Sequence, residues 1–134
     1  MNYSDAQIKE IADSLEAGFI CYVHRQTGEV LEVPDVSDPF SGEFEAWYDV
    51  LNQVEQHPED YLKIKPMDST QAYQVMADFA EELPEGDFRE RALDRLSARK
   101  PFRNFKDLVE DSEYREDWFA FRTKAYQKWV REQL

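Results

Sequence analysis

The part of the sequence best suited to chemistry is a basic segment over residues 89–106. It carries seven Lys or Arg and two Asp or Glu, a local net charge of +5, in a chain whose net charge is −13. Arg91, Arg95 and Arg99 follow one another at the i, i+4, i+8 spacing of one helix face. Guanidinium groups present planar forks of donors that suit carboxylates and phosphates. The segment therefore predicts a site for an anionic partner.

The positive charge continues around Pro101, which we expect to break this helix because proline lacks the backbone N–H. The further basic residues are Lys100, Arg103 and Lys106. Three phenylalanines interleave with the basic residues, as stacking residues do in proteins that bind single-stranded nucleic acid. They are Phe88, Phe102 and Phe105. A second interpretation stays open: residues 1–70, with 15 acidic and 4 basic side chains, neutralise the segment, and the phenylalanines are core residues.

Other kinds of site find little support. Cys21, His24 and His57 are the only thiol and imidazole groups, and no Cys-x-x-Cys or His-x-x-x-His spacing occurs, so we expect no metal site and no cofactor. Cys21, within an apolar run, is predicted to be a buried small residue. The four glycines are scattered, which excludes a phosphate-binding loop, and no Gly-x-Ser-x-Gly motif occurs.

Carboxylate pairs are common in a chain with 29 Asp and Glu. Asp107 and Asp111 are four residues apart and could in principle hold Mg²⁺ on a helix. In so acidic a chain such pairs arise by chance, and we interpret them as solvated. A hydrolase that uses carboxylates therefore remains only an alternative.

The composition also bears on location and on partners. A pI near 4.5 opposes bulk attraction to nucleic acid or to an anionic membrane. We find no stretch of about 20 apolar residues and no basic and apolar leader at the N-terminus, so we expect a cytoplasmic protein without a membrane anchor. A single cysteine excludes an internal disulfide.

The first half of the chain predicts alternating helices and strands. A Ser4–Gln7 capping box and an apolar repeat predict a helix over residues 5–16, which ends at Gly18. Two apolar runs, 19–24 and 30–33, flank a turn with Gly28 and predict a β-hairpin. A loop over 34–42 precedes a helix from Phe44 to the His57-Pro58 boundary, and residues 61–65 are predicted as a third strand.

The second half predicts only helices. Asp68 is the expected cap of the first, Asp87 and Glu90 have capping-box spacing at the start of the second, and a short helix follows Pro101. Ser112 is expected to start a long terminal helix with an aromatic face. We predict one α+β domain over residues 1–134, with a small three-stranded antiparallel sheet covered by helices and an all-helical second half.

Two segments of the second half carry a family resemblance. PFRNFKD at residues 101–107 and WFAFR at residues 118–122, together with the turn TGEV at 27–30, resemble an uncharacterised protein family of the UPF series, a group of small bacterial proteins. The resemblance implies a bacterial cytoplasmic protein and transfers no catalytic residue. It directs attention to Arg103, Lys106, Trp118 and Arg122, which alternatively lock the short helix against the terminal one.

These observations favour a non-enzymatic interaction or regulatory module that engages an acidic partner through the surface around residues 89–106. The residues expected to bind are Arg91, Arg95, Arg99, Lys100, Arg103, Lys106, Trp118 and Arg122. The alternative is a protein that binds RNA or single-stranded DNA with the same segment, which predicts steep salt dependence of binding. The sequence does not determine the oligomeric state.

Overall fold

The fold is taken from a computed structural model, and the structure describes residues 3–34 and 47–134. The helices are α1 Asp5–Glu16, α2 Tyr48–Gln56, α3 Ser69–Glu82, α4 Asp87–Ser97, α5 Pro101–Glu110 and α6 Arg115–Gln133. The strands are β1 Phe19–His24, β2 Val30–Pro34 and β3 Tyr61–Ile64, and a short 3₁₀ helix spans Pro58–Asp60. The predicted α+β class, with its three strands in the first half and helices in the second, is confirmed.

The three strands form one antiparallel sheet in the order β2-β1-β3. In the middle of the sheet, Cys21 pairs with Glu32 on one side and with Ile64 on the other. Cys21 and Val23 are buried while the residues between and beside them are partly exposed. This alternation puts one face of the sheet into a core, as a period of two requires.

The predicted hairpin has a turn that the sequence did not explain in full. Gly28 has a φ of +76°, a conformation that glycine adopts at little cost. His24, the last residue of β1, is half-buried. Its Nδ1 accepts hydrogen bonds from the backbone N–H groups of Gln26 and Thr27, each at 3.2 Å. The imidazole is therefore part of the turn structure.

Two compact units contain the described residues. The first comprises Met1–Pro66 with Tyr126–Leu134, and the second comprises Met67–Ala125, so that α6 contributes residues to both. The single domain predicted over residues 1–134 stays a prediction, since it concerns cooperative unfolding and is tested by a single transition in a melt.

In the first unit, α1 covers the sheet. Ile8, Ile11, Ala12 and Leu15 form the predicted apolar face and are all buried. They pack with buried residues of β1 and β3 and with Val130 of α6. The capping box at Ser4 is present, with the Gln7 N–H donating to Ser4 Oγ at 3.1 Å and Gln7 Oε1 accepting from the Ser4 N–H at 2.9 Å.

In the second unit, four helices enclose an aromatic core. Phe79 of α3, Phe105 of α5 and Trp118 of α6 meet edge to face, with ring centroids 5.2–6.4 Å apart. Phe105 is fully buried and Trp118 is 2% exposed. α3 is joined to the end of α4 by the Tyr73 hydroxyl, which donates to the Leu96 carbonyl at 2.9 Å.

Two predicted helix starts differ from those in the structure. α4 begins at Asp87 and its N-cap is Gly86, so the predicted Asp87–Glu90 capping box is wrong. Gly86 has a φ of +151°, which favours glycine, and the helix starts one residue earlier than a cap at Asp87 would give. α6 begins at Arg115 instead of Ser112, whose hydroxyl donates to the Val109 carbonyl at 2.6 Å and so closes α5.

The predicted loop over 34–42 and the start of the second helix at Phe44 fall mostly outside the described residues; α2 is described from Tyr48.

The predicted cap of α3 gives a first testable expectation. Asp68 Oδ1 accepts from the Gln71 N–H at 2.9 Å, and Gln71 Oε1 accepts from the Asp68 N–H at 3.0 Å. Asp68→Ala is expected to lower the free energy of unfolding by about 1 kcal/mol, because the first turn loses a partner for its N–H groups. Urea denaturation followed by circular dichroism measures this. Asp68→Asn should retain most of the stability; an equal loss in both variants would contradict the capping role.

Candidate interaction site

The basic segment forms the corner between α4 and α5. Arg91 and Arg95 lie one turn apart on α4 and are exposed. α4 ends at Ser97, where Ala98 takes an extended conformation, so Arg99 does not continue the helical row. The predicted line of three arginines is therefore two arginines on a helix followed by one on the connection.

The connection between α4 and α5 is held in one shape. Lys100 has a φ of +51° and is the only non-glycine residue with a positive φ in the described ranges. Pro101 occupies the first turn of α5, as its missing N–H allows. The Asn104 side chain donates to the Arg99 carbonyl at 2.6 Å. A lysine in this left-handed conformation costs on the order of 1–2 kcal/mol, so the corner presents Arg99 and Lys100 at some expense in stability.

The basic side chains of α5 are also exposed. Arg103 Nε lies 4.0 Å from Asp107 Oδ2, one turn further along the same helix. Both side chains are about 70% exposed, and such a pair contributes little to stability. Lys106 is exposed as well. The corner thus adds two cations from α5 to those of α4 and the connection.

These cations are not neutralised by the described part of the chain. In residues 3–34 and 47–134, no carboxylate oxygen lies within 4.0 Å of the basic nitrogens of five of them. They are Arg91, Arg95, Arg99, Lys100 and Lys106. The second interpretation of the sequence was that the acidic half neutralises this segment. No ion pair in the described residues supports it for these five cations. Four acids of that half lie in 35–46, outside the described residues.

A groove of about 410 Å³ runs between α4 and α5. Its lining combines basic, acidic, aromatic and aliphatic side chains. They are Phe88, Arg91, Arg95, Asp107, Leu108, Asp111 and Ser112. Phe88 is held in place by stacking on Tyr114, with centroids 4.8 Å apart. The volume is within the range of sites that take a small ligand or a few side chains of a partner.

The groove includes residues that sequence reasoning did not place in a site. Asp107 and Asp111 were interpreted as a solvated chance pair, and Leu108 and Ser112 were not considered as binding residues. The usable signal was the short connection at residues 98–100, because two helices joined so tightly are neighbours. On α4 the residues that line the groove have i, i+3 and i+7 spacing and are Phe88, Arg91 and Arg95. On α5 and its C-cap they are Asp107, Leu108 and Asp111.

The remaining predicted binding residues lie elsewhere. Trp118 is in the core of the second unit. Arg122 is half-buried, with its guanidinium 5.9 Å from the centroid of the Trp118 ring and 5.4 Å from that of Phe119. The contact of Trp118 with Phe105 matches the alternative in which this motif locks the short helix against the terminal one. Phe105, with no exposed surface, offers no stacking platform for a base.

The only thiol is enclosed in the first unit. Cys21 has no exposed surface. Burial raises its pKa from 9.0 to about 12, and the negative charge of Glu32 adds to the rise while a hydrogen bond with Ser14 opposes it. Ser14 Oγ itself donates to Glu32 Oε2 at 2.5 Å. A thiol held this strongly in its protonated form is unsuited to nucleophilic chemistry near neutral pH.

One group of possible metal ligands occurs in the described ranges. His57, Glu59 and Asp60 place three ligand atoms within 4.8 Å of one another. All three come from one short segment, and both His57 and Glu59 are exposed. Exposed groups of this kind are frequent on an acidic surface, so the segment carries no metal proposal.

Comparison with known proteins places the chain in a family. Residues 4–134 match the family model described as "Uncharacterised protein family (UPF0158)". The chain belongs to this family. A UPF0158 protein of Pseudomonas aeruginosa is 31% identical to it over 126 residues, which cover 92% of this chain and 76% of the relative. The resemblance inferred from the sequence is confirmed, although its particular motifs are not tested. No solved structure matches this UPF0158 chain.

Among the described residues, no helix combines the length and the apolar character needed to cross a membrane.

Proposed function

We propose that this UPF0158 protein is a non-enzymatic interaction module that binds an acidic partner protein through the corner between α4 and α5. The observation that carries the proposal is the set of five exposed cations without an ion-pair partner in the described ranges. We define the basic surface as Arg91, Arg95, Arg99, Lys100, Arg103 and Lys106. Trp118 and Arg122 support it from the core side and do not belong to it.

The charge of the basic surface is opposite to that of the protein as a whole. A basic patch on a protein with a net charge of −13 attracts acidic groups locally while the remaining surface repels bulk polyanions. The partner is therefore steered to one place on the protein. Such pairing raises the association rate and the specificity more than the affinity.

The strained connection supports the same reading. Lys100 keeps a left-handed conformation that a glycine would adopt without cost. Strain of this kind concentrates at functional sites, where the surrounding structure enforces it. Here the enforcing contacts are Pro101 and the hydrogen bond from Asn104. They hold Arg99 and Lys100 at the tip of the corner.

The proposal includes a location. The Pseudomonas aeruginosa relative supports a bacterial origin, and a buried, single thiol suits a reducing compartment, so we place the protein in the bacterial cytoplasm.

Charge reversal tests the proposal. In the triple variant Arg95→Glu/Arg99→Glu/Lys106→Glu, we expect at least a tenfold loss of a partner captured from a nuclease-treated bacterial lysate, because attraction becomes repulsion at three points. The matched control Lys65→Glu/Lys124→Glu/Lys128→Glu changes the net charge equally at three other exposed lysines. Quantitative mass spectrometry of the captured material measures both.

The outcomes separate the hypotheses. Retention of the partner by the triple variant, or equal loss in the control, overturns the proposal. Capture that nuclease abolishes supports the nucleic-acid alternative instead, and a log–log salt slope of nearly one per neutralised phosphate would then identify the phosphate contacts.

A further inference from the structure

The two walls of the α4–α5 groove carry opposite charges. On the α4 side, Arg91 and Arg95 are one helical turn apart. On the α5 side, Asp107 and Asp111 are one helical turn apart as well. The half-buried side chains of Phe88 on α4 and Leu108 on α5 add apolar surface to the same lining. The groove therefore combines a basic row on one helix, an acidic row on the other and apolar surface from both.

The opposite charges do not neutralise each other across the groove. No guanidinium nitrogen of the α4 row lies within 4.0 Å of a carboxylate oxygen of the α5 row. Asp107 has its 4.0 Å contact with Arg103 on its own helix. Asp111 is exposed and has no ion pair in the described part of the chain. Both rows are thus available to a ligand.

An acidic row selects against a uniformly negative ligand. A phosphate backbone or an all-acidic peptide that reached Arg91 and Arg95 would bring negative charge close to Asp111 as well. Like charges that face each other across an interface reduce affinity and suppress wrong partners. A ligand with a cation on one side and a carboxylate on the other satisfies both walls.

We propose that the α4–α5 groove binds a peptide segment of the partner that carries a row of acidic, a row of apolar and a row of basic side chains. The acidic row meets Arg91 and Arg95, the apolar row meets Phe88 and Leu108, and the basic row meets Asp107 and Asp111. This inference rests on the proposed function and adds the chemistry of the partner. An amphipathic helix with anchors at i, i+3, i+4 and i+7 provides such rows.

Labelled synthetic peptides and fluorescence anisotropy at low salt test the inference. The three-row peptide is a helix of about 14 residues with a Glu row, a Leu row and a Lys row. A second peptide replaces the Lys row with Glu, and a third replaces the Leu row with Ala. Oligouridylate serves as the nucleic-acid probe. We expect the three-row peptide to bind at least tenfold more tightly than the other three probes.

The decisive variant is Asp111→Lys in the full chain. It is expected to weaken binding of the three-row peptide about three- to tenfold and to strengthen binding of the all-Glu peptide, because the acidic wall becomes basic. Glu81→Lys, which reverses an exposed carboxylate on α3 outside the groove, should change neither affinity. Circular dichroism confirms that the variants fold.

Several results would overturn the inference. These are stronger binding of both peptides by Asp111→Lys, tighter binding of oligouridylate or of the all-Glu peptide than of the three-row peptide, and no binding of the three-row peptide. If any of these occurs while the Arg95→Glu/Arg99→Glu/Lys106→Glu variant still loses the captured partner, only the inference fails. If that variant keeps the partner, the proposed function fails too.

Discussion

Replacement of Trp118 by alanine is expected to lower the free energy of unfolding by about 3–5 kcal/mol, the largest stability effect we predict. Trp118 is 2% exposed and contacts Phe79 and Phe105 edge to face, with centroids 5.3 and 5.2 Å away. Truncation removes these contacts and leaves a cavity that the helices can only partly close. Urea denaturation followed by far-ultraviolet circular dichroism measures the loss.

The control is Trp118→Phe, which keeps a ring between Phe79 and Phe105. Within residues 3–34 and 47–134 the indole N–H of Trp118 has no hydrogen-bond partner, so its removal leaves no acceptor unpaired there. We expect the phenylalanine variant to lose clearly less than the alanine variant. If alanine costs under about 1 kcal/mol, the aromatic core does not hold the second unit as we describe. Trp118→Leu replaces the alanine variant if the latter fails to fold.

The second large effect concerns Cys21, whose alkylation at pH 8 should be about a thousandfold slower in the folded protein than in urea. The thiolate reacts, and a pKa raised from 9.0 to about 12 lowers the thiolate fraction by that factor. Burial is the main cause of the shift, and it also blocks access of the reagent. Mass spectrometry after timed exposure to iodoacetamide measures the rate.

An introduced thiol provides the control. Ala17→Cys adds a cysteine at an exposed position after α1, and we expect it to be alkylated quickly while Cys21 of the same molecule stays free. Native and unfolded rates within tenfold of each other for Cys21 would contradict the buried environment.

The same shift has a consequence for stability at high pH. The folded state holds the proton of Cys21 more tightly than the unfolded chain, whose thiol ionises near pH 9.0. Below that pH the thiol is protonated in both the folded and the unfolded state, so it adds no pH dependence to the free energy of unfolding. Between about 9 and 12 only the unfolded chain loses it, so the free energy of unfolding falls as the pH rises.

Much of the fold followed from local patterns. The apolar repeat of residues 8–15 and the Ser4 cap predicted α1 correctly, because a helix face and its first turn are determined by neighbours three and four residues apart. The hairpin followed from two apolar runs around a glycine turn. A third strand over residues 61–65 was also predicted, since a hairpin alone is marginally stable, and the structure pairs it with β1.

Local spacing failed where another residue competed for the same role. Asp87 and Glu90 satisfied the capping-box pattern, yet Gly86 took the N-cap position because its backbone reaches a φ of +151°. Asp87 instead lies in the first turn, where its charge favours the helix N-terminus. Arg99 fitted the helical repeat of Arg91 and Arg95, but α4 ends at Ser97 and Arg99 lies in the connection to Pro101, where α5 begins.

For the candidate site too, some features followed from the sequence and others only from the tertiary structure. The sequence by itself determined the α+β class, the membership of a family, and the concentration of positive charge at residues 89–106, because composition and short-range spacing carry that information. Only the tertiary structure decided that Trp118 and Phe105 are core while Arg91 and Arg95 line a groove. It also decided that Asp107 and Asp111 form the opposite wall. Side chains on different helices meet through the geometry of a connection and the packing of a core, and neither is contained in the spacing of one helix.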